Sequence, residues 1–293
     1  MRELGPEFID VTWGAGGSTS ETTLDICTNV AKFIGLETCM HLTCTNMPRE
    51  EIDNALKVCK AAGIQNILAL RGDPPKGQER WTAVEGGFEH AIDLVKYIRR
   101  EHGDYFGIGV AGYPEKHVDC PSMEEDIAHL KAKVDAGADF IVTQLFYDTD
   151  NFIAWVARCR EVGISCPIIP GLMPINTYAG WKRIITLSKT LIPAGMEEEL
   201  EAIKDDDQAV KDYGINFLMN MIKKMLAAGF KGVEPDSFSP PFFILLISSI
   251  PLPARFPLLH PEPREGHHPD PRGARVCATP GEHQTAALEE ERG

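Results

Sequence analysis

The 293-residue sequence lacks long apolar runs and has few basic residues, and each shortage excludes a class of protein. Its longest apolar run, residues 242–250, is too short to cross a membrane, which takes about 20 residues. The first residues contain no apolar segment of the kind found in signal peptides. Lysine and arginine number 29 against 43 acidic residues, and a net charge of −14 argues against a general nucleic-acid surface. The sequence therefore predicts neither a membrane nor a nucleic-acid partner.

The cysteines form no C-x-x-C pair, and this absence argues against a zinc site or a disulfide framework. Several of them fall inside apolar runs, where reduced cysteines pack as small apolar side chains. We therefore expect a cytoplasmic protein with no metal site. The eight positions are Cys27, Cys39, Cys44, Cys59, Cys120, Cys159, Cys166 and Cys277.

Six short apolar runs begin near residues 8, 38, 66, 107, 140 and 167, and a helical pattern follows each of them. One strand–helix unit about every thirty residues predicts an α/β fold with a parallel sheet. A doubly wound sheet and an eight-stranded barrel are the two candidates. No G-x-G-x-x-G follows a strand, and the glycine-rich residues 14–17 have the wrong spacing for a dinucleotide-binding loop. Polar residues at every strand end favour the barrel, because its active sites lie on that rim.

A closed barrel needs eight strands, and the pattern supplies six. We therefore predict an incomplete (β/α)8 TIM barrel over residues 1–233, without its first and last strands. Residues 234–293 hold eleven of the 21 prolines and show no helical or strand period. This composition predicts a disordered C-terminal tail.

The segment "NILALRGDPP" shows the strand-end pattern most clearly. An apolar strand stops at Arg71, Gly72 and Asp73, so a cation, a glycine that permits close approach and a carboxylate stand together. Alone, this segment fits either a loop ion pair or a ligand site. Polar residues also lie near the ends of other strands, at Thr12, His41, Tyr113 and Gln144, and the last strand ends at Pro170 and Gly171.

Seven segments occur in an order and spacing that resemble the catalytic domain of eukaryotic 5,10-methylenetetrahydrofolate reductases. They span residues 7 to 229 and read "FIDVTWGAGGSTS", "HLTCTN", "NILALRGDPP", "VAGYPEKH", "KVDAGADFIVTQLFYD", "CPIIPGLMPI" and "VKDYGINF". The resemblance implies a TIM barrel that binds FAD. It also implies hydride transfer from NADH or NADPH, through FAD, to 5,10-methylenetetrahydrofolate, giving 5-methyltetrahydrofolate for one-carbon and methionine metabolism. Members of this family form homo-oligomers.

The resemblance also assigns roles to individual residues. Asp73 and Gln144 are the implied catalytic residues, and both join Tyr178 in contacting the folate substrate. We expect Gln144 to be buried and to point into the barrel. The implied contacts to FAD are Thr12, Trp13, His41, Arg71, Gly72, Asp73, His90, Ala91, Tyr113, His117, Asp126 and Lys133.

Three departures from the family pattern favour an alternative. The sequence has no Phe-Glu-Phe-Phe-Pro-like motif, which carries the family's general acid, and no Tyr-Thr-Leu-Asn motif, which helps to bind folate. After His117 it has Val118, Asp119 and Cys120 where Pro-Glu-Ala is common. The alternative is a catalytically silent fragment, or a mispredicted gene product, that at most binds FAD. A barrel aldolase with a Schiff-base lysine is disfavoured, because no lysine lies within an apolar strand.

Overall fold

A computed structural model describes residues 6, 8–12, 20–44, 47–72 and 86–230. In these residues six strands alternate with helices, and α1 continues into a π-helical turn, Val30–Ile34. Trp13, Asp73 and the predicted tail lie outside the described residues. The strands are β1 (Phe8–Val11), β2 (Glu37–Thr43), β3 (Asn66–Leu70), β4 (Gly107–Gly112), β5 (Phe140–Leu145) and β6 (Ile168–Gly171). The α-helices are α1 (Ser20–Asn29), α2 (Arg49–Ala62), α3 (Ala91–His102), α4 (Met123–Asp135), α5 (Thr149–Glu161), α6 (Tyr178–Ser188), α7 (Met196–Ala202) and α8 (Asp207–Ala227).

The strands form one sheet in the order β1-β2-β3-β4-β5-β6, and every neighbouring pair is parallel. A doubly wound sheet would reverse its strand order at a switch point. Strands in sequence order, joined by crossovers of one hand, instead place their helices on the same side of the sheet. The described residues therefore form an α/β half-barrel, which confirms the incomplete TIM barrel.

Alternate side chains of the strands point to two different layers. The outer layer packs under the helices and contains most of the buried apolar residues. The inner layer is a smaller cluster formed by Phe8, Cys39, Leu68, Phe140 and Ile169, one from each strand except β4. This inner cluster fills the floor of the half-barrel, so polar residues further along the strands have a rigid base beneath them.

Strand β4 contributes Gly109 to this floor because no side chain fits there. A Cβ atom on Gly109 would lie 2.4 Å from Phe140 Cε2 and 2.9 Å from Leu68 Cδ1. We expect Gly109→Ala to lower the free energy of unfolding by about 1–3 kcal/mol, the usual cost of overpacking a core. Urea unfolding measures this loss.

A second variant tests the cause of that loss. Phe140→Leu removes the ring atoms that the new methyl group would meet, so Gly109→Ala should cost less in that background than in the parent. An equal cost in both backgrounds would contradict the proposed clash.

Arg99 joins the carboxyl end of α3 to the starts of β4 and β5. Its guanidinium donates to the carbonyl oxygens of Gly137 at 2.9 Å and Phe106 at 2.7 Å, and it pairs with the carboxylate of Asp139. Asp139 also accepts from the backbone N–H of Ile108 at 2.8 Å. This Arg99 clip lies at the amino-terminal ends of the strands, opposite the candidate site.

Three features of the described residues relate to the expectations from composition. The seven cysteines within them are all free, and six are buried, as expected for reduced core cysteines. No helix in the described ranges combines the length and apolar character that a membrane span requires. Across the same ranges, no group of three or more His, Cys, Asp or Glu side chains is arranged to hold a metal ion.

Candidate functional site at the strand ends

The carboxyl end of β3 brings Arg71 and Gly72 beside the end of β2. Gly72 has a φ of 95°, a conformation that residues with a Cβ rarely adopt. The backbone N–H of Cys44, just after β2, donates to the Leu70 carbonyl at 3.0 Å, and its Sγ lies 3.7 Å from the Arg71 carbonyl. Burial raises the pKa of Cys44 to about 12, with a smaller contribution from Asp93 of α3. The β2–α2 and β3–α3 units therefore meet at Cys44.

A carboxylate in the loop after β4, that of Asp119, contacts the Arg71 side chain. Arg71 Nη2 lies 3.1 Å from Asp119 Oδ2, and His117 Nδ1 lies 3.8 Å from the same oxygen. The guanidinium, as a hydrogen-bond donor, holds the pKa of Asp119 below its ordinary value. Asp119 belongs to the segment that departs from the family pattern, and it ties this loop to β3.

Asp126 and Lys133 of α4 lie under the same loop. The backbone N–H of His117 donates to Asp126 Oδ1 at 3.4 Å, and Asp126 is only 7% exposed. Lys133 donates from Nζ to the Ala111 carbonyl of β4 at 2.7 Å. Burial raises the pKa of Asp126 and lowers that of Lys133 to about 8. Both side chains thus face protein, although charged residues on a helix usually face solvent.

Tyr113 completes this group. Its ring meets the His117 ring edge to face, with centroids 4.7 Å apart. Burial lowers the pKa of His117, while neighbouring Asp119 opposes that shift. We call Arg71, Tyr113, His117, Asp126 and Lys133 the β3–β4 cluster. The structure brings these five predicted cofactor residues together.

A second group lies on β1 and β2 and includes a residue that sequence reasoning missed. His41 Nε2 is 3.4 Å from Asp10 Oδ1, and both side chains are largely buried. Alternation along β1 could have revealed Asp10, since Phe8, Asp10 and Thr12 share one face of a strand. Thr12 is exposed at the strand end, and its carbonyl accepts from Thr23 Oγ1 at 2.8 Å.

His90 and Ala91 lie at the start of α3. His90 is the N-cap residue and is exposed, and its backbone N–H donates to Asp93 Oδ2 at 3.0 Å. Ala91 is the first helical residue. Asp93 also acts electrostatically on Cys44, so the start of α3 lies near the end of β2.

The expectation that Gln144 is buried was wrong. Gln144 is exposed, and its Oε1 accepts from the backbone N–H of Leu145 at 2.9 Å. The register between β5 and β6 shifts between Val142 and Leu145, so Gln144 has no partner residue on β6. The position lies at the end of the strand, above the packed floor, where the side chain meets solvent.

Tyr178 is turned toward the outer helices. Its hydroxyl hydrogen-bonds to the Glu201 carboxylate of α7, and its ring is tilted against Trp181 at a centroid distance of 5.7 Å. The described contacts do not join Tyr178 to the β3–β4 cluster. Its predicted contact with folate stays a prediction.

The strand order defines an incomplete TIM barrel, a class of protein whose active sites lie at the carboxyl rim. The model of the family "Methylenetetrahydrofolate reductase" matches residues 1–234. The chain therefore belongs to the methylenetetrahydrofolate reductase family, as its sequence segments predicted.

Individual relatives agree with this assignment. The chain is 57% identical to methylenetetrahydrofolate reductase (NADH) 1 of Arabidopsis thaliana over 234 residues, which cover 77% of this chain and 40% of that protein. It is 52% identical to methylenetetrahydrofolate reductase 2 of Saccharomyces cerevisiae, covering 77% and 38%. It is 33% identical to the 5,10-methylenetetrahydrofolate reductase of Pectobacterium carotovorum, covering 79% and 75%. The chain thus spans about 40% of the plant relative's length.

Proposed function

We propose that this protein reduces 5,10-methylenetetrahydrofolate to 5-methyltetrahydrofolate, with FAD as cofactor and NADH or NADPH as hydride donor. The observation that carries the proposal is the β3–β4 cluster, whose members come from two βα units and face one region at the strand ends. The names of the relatives support the substrate and the nicotinamide donor, since one is an NADH enzyme and another, from Caenorhabditis elegans, is a probable NADPH enzyme.

The cluster fits the pyrophosphate of FAD. Lys133 has no carboxylate ion-pair partner among the described residues, and its nearest hydrogen-bond acceptor is the neutral Ala111 carbonyl. The Asp126 carboxylate acts on this ammonium electrostatically but forms no ion pair with it, and a buried ammonium without a direct ion-pair partner favours an anionic ligand. Arg71 adds a guanidinium, which can donate two parallel hydrogen bonds to two phosphate oxygens. Together the two cations offset the negative charge that a pyrophosphate would bring to an acidic protein.

The other residues have roles that follow from their chemistry. Bound FAD would supply a ring that accepts a hydride from the nicotinamide and passes it to the one-carbon unit of the folate. Tyr113 presents an aromatic surface, and Gln144 presents an amide able to pair with the edge of a pterin. Asp73, which follows Gly72 in the sequence, would supply a carboxylate to stabilise the cation formed as the folate ring opens.

The visible spectrum of the purified chain tests the proposal. We expect a yellow protein whose flavin absorbance bleaches with NADH or NADPH under anaerobic conditions and returns when 5,10-methylenetetrahydrofolate is added. A colourless protein that takes up no added FAD would refute flavin binding, and with it the proposed reaction.

A second candidate function is flavin binding without folate reduction. It is favoured by one observation: these 293 residues contain no Phe-Glu-Phe-Phe-Pro-like motif to supply a general acid. A general acid typically contributes about 10²–10⁴-fold to a rate. The same experiment separates the candidates, since bleaching without reoxidation by the folate would favour the second over the first.

A further inference from the structure

Asp10 and His41 form a carboxylate–imidazole pair on the inner face of the sheet. Asp10 lies opposite Cys39 in the parallel register of β1 and β2, so His41, two residues further along β2, shares its face. Both strands also contribute to the inner floor, through Phe8 and Cys39. Asp10 and His41 each lie two residues after an inner-cluster residue, Phe8 or Cys39, on strands whose relative position is fixed by the sheet.

The two facing atoms, His41 Nε2 and Asp10 Oδ1, are both buried. They are 3.4 Å apart, yet neither atom makes a hydrogen bond of good geometry within the described ranges, and the Asp10 carboxylate also interacts with the Cys39 thiol. Both atoms are shielded from solvent, and an unpaired buried carboxylate oxygen is costly. A proton on Nε2, directed at Asp10, is the arrangement that satisfies both groups.

The charge of Asp10 also acts on its other neighbour. The pKa of Cys39 is raised well above its ordinary value, mainly by burial and further by the Asp10 carboxylate. Cys39 and His41 lie on the same face of β2, so the carboxylate faces both side chains.

The pairing restricts what the rest of the imidazole can do. The His41 side chain is 18% exposed while its Nε2 is buried, so the accessible part of the ring consists of its other atoms. When Nε2 carries the proton of a neutral imidazole, Nδ1 is a hydrogen-bond acceptor. One ring orientation and one tautomer then meet a ligand at the strand ends.

We propose that Asp10 is a positioning residue that holds His41 in one orientation and one tautomer for contact with FAD. This inference rests on the proposed function, because the contact between His41 and FAD is part of it. Asp10 itself touches neither FAD nor substrate in this role. It acts through the imidazole, as carboxylates that orient histidines do in other sites.

A double-mutant cycle on FAD affinity tests the proposal. We expect Asp10→Ala to raise the dissociation constant for FAD about tenfold, the usual effect of losing one charge-assisted hydrogen bond. His41→Ala should weaken binding at least as much, and the double variant should bind no more weakly than His41→Ala alone. The matched control is Asp104→Ala, an exposed aspartate after α3, which should leave the affinity unchanged. The proposal would be overturned if the losses of FAD affinity in the two single variants add up in the double variant, or if Asp10→Ala binds FAD as tightly as the parent does.

A second measurement does not depend on flavin. In FAD-free protein with ¹⁵N-labelled histidine, the Nε2–H of His41 should be protected from exchange and visible by NMR, and His41→Ala assigns the signal. It should disappear in Asp10→Ala and persist in Asp104→Ala. If the parent binds no FAD yet shows this signal, the proposed function fails while the pairing stands. If the parent shows no protected ring N–H, the positioning role itself is refuted.

Discussion

Lys133→Met should weaken FAD binding about a hundredfold while making the protein more stable at neutral pH. The ammonium is the buried cation of the β3–β4 cluster, and a charged hydrogen bond to phosphate is worth about 2–3 kcal/mol. Burial lowers its pKa from the ordinary 10.5 to about 8, so holding the charged form in the folded state costs on the order of 3 kcal/mol. Methionine fills a similar space without that cost. Titration with FAD and urea unfolding measure the two effects.

The effect of Lys133 on the free energy of unfolding and on FAD affinity should depend on pH. Below pH 8 both the folded and the unfolded chain bind the Lys133 proton, so the destabilisation is fully present. Between pH 8 and 10.5 the unfolded chain binds more protons, and this lysine's contribution to the free energy of unfolding rises with pH. The stability difference between Lys133→Met and the parent should therefore shrink over this range. Over the same range the parent should lose affinity for FAD as the ammonium loses its proton.

The matched control for this variant is on the same helix. Lys131 pairs with Asp135 on the solvent side of α4, so Lys131→Met should change neither FAD affinity nor the pH profile. If Lys133→Met binds FAD as tightly as the parent does, Lys133 does not contact FAD. A loss of stability at pH 7 would show that its ammonium is better solvated than its pKa indicates.

Arg99→Ala should lower the free energy of unfolding by about 3 kcal/mol and leave FAD affinity unchanged. The substitution leaves the Asp139 carboxylate without its cation and the carbonyls of Gly137 and Phe106 without a donor. Breaking a fully buried charge pair typically costs about 3–5 kcal/mol, and this pair is only partly buried, so the expected loss lies at the lower end of that range. The Arg99 clip lies at the amino-terminal ends of the strands, where barrel residues serve stability rather than chemistry.

Arg100→Ala provides the matched control for this clip. Arg100 is the next residue, is mostly exposed and pairs with its neighbour Glu101, so its removal should cost at most about 0.5 kcal/mol. Urea unfolding of both variants gives the comparison. Similar losses in the two variants would show that the clip is not the source of the stability, and weaker FAD binding in Arg99→Ala would show that the two rims are coupled.

Most of the fold could be predicted from the sequence because each strand is a short apolar run followed by a helix-forming segment. The six strands begin at or within one residue of the expected positions. The short α7, Met196–Ala202, was missed. Only Met196 and Leu200 of that helix are buried among its acidic residues, so one apolar pair provides no recognisable period. The 21-residue α8, by contrast, repeats buried positions at helical spacing from Val210 to Met225.

The candidate site was less accessible to sequence reasoning, for reasons that differ from residue to residue. Asp126 and Lys133 were found only through the family resemblance, because the loop that covers them cannot be inferred from helical spacing. Asp10 was missed although alternation places it on the same face of β1 as Phe8 and Thr12; its position beside His41 depends on the register between β1 and β2. The error on Gln144 arose from treating a strand end as closed barrel interior, whereas exposure there depends on the local register.

The shifted register at the end of β5 has a consequence for how this rim can change. The backbone N–H of Gly171 donates to Thr143 Oγ1 at 2.8 Å, and residue 145 resumes the pairing with β6. Gln144 thus has no partner residue on β6, and its side chain accepts a hydrogen bond from the backbone N–H of its neighbour Leu145. Because this side chain is exposed, exchanging it should cost little folding free energy, and the proposed folate contact would then be the main constraint on its identity. Under the proposed function, a new ligand preference at this position would therefore need no compensating change in the core.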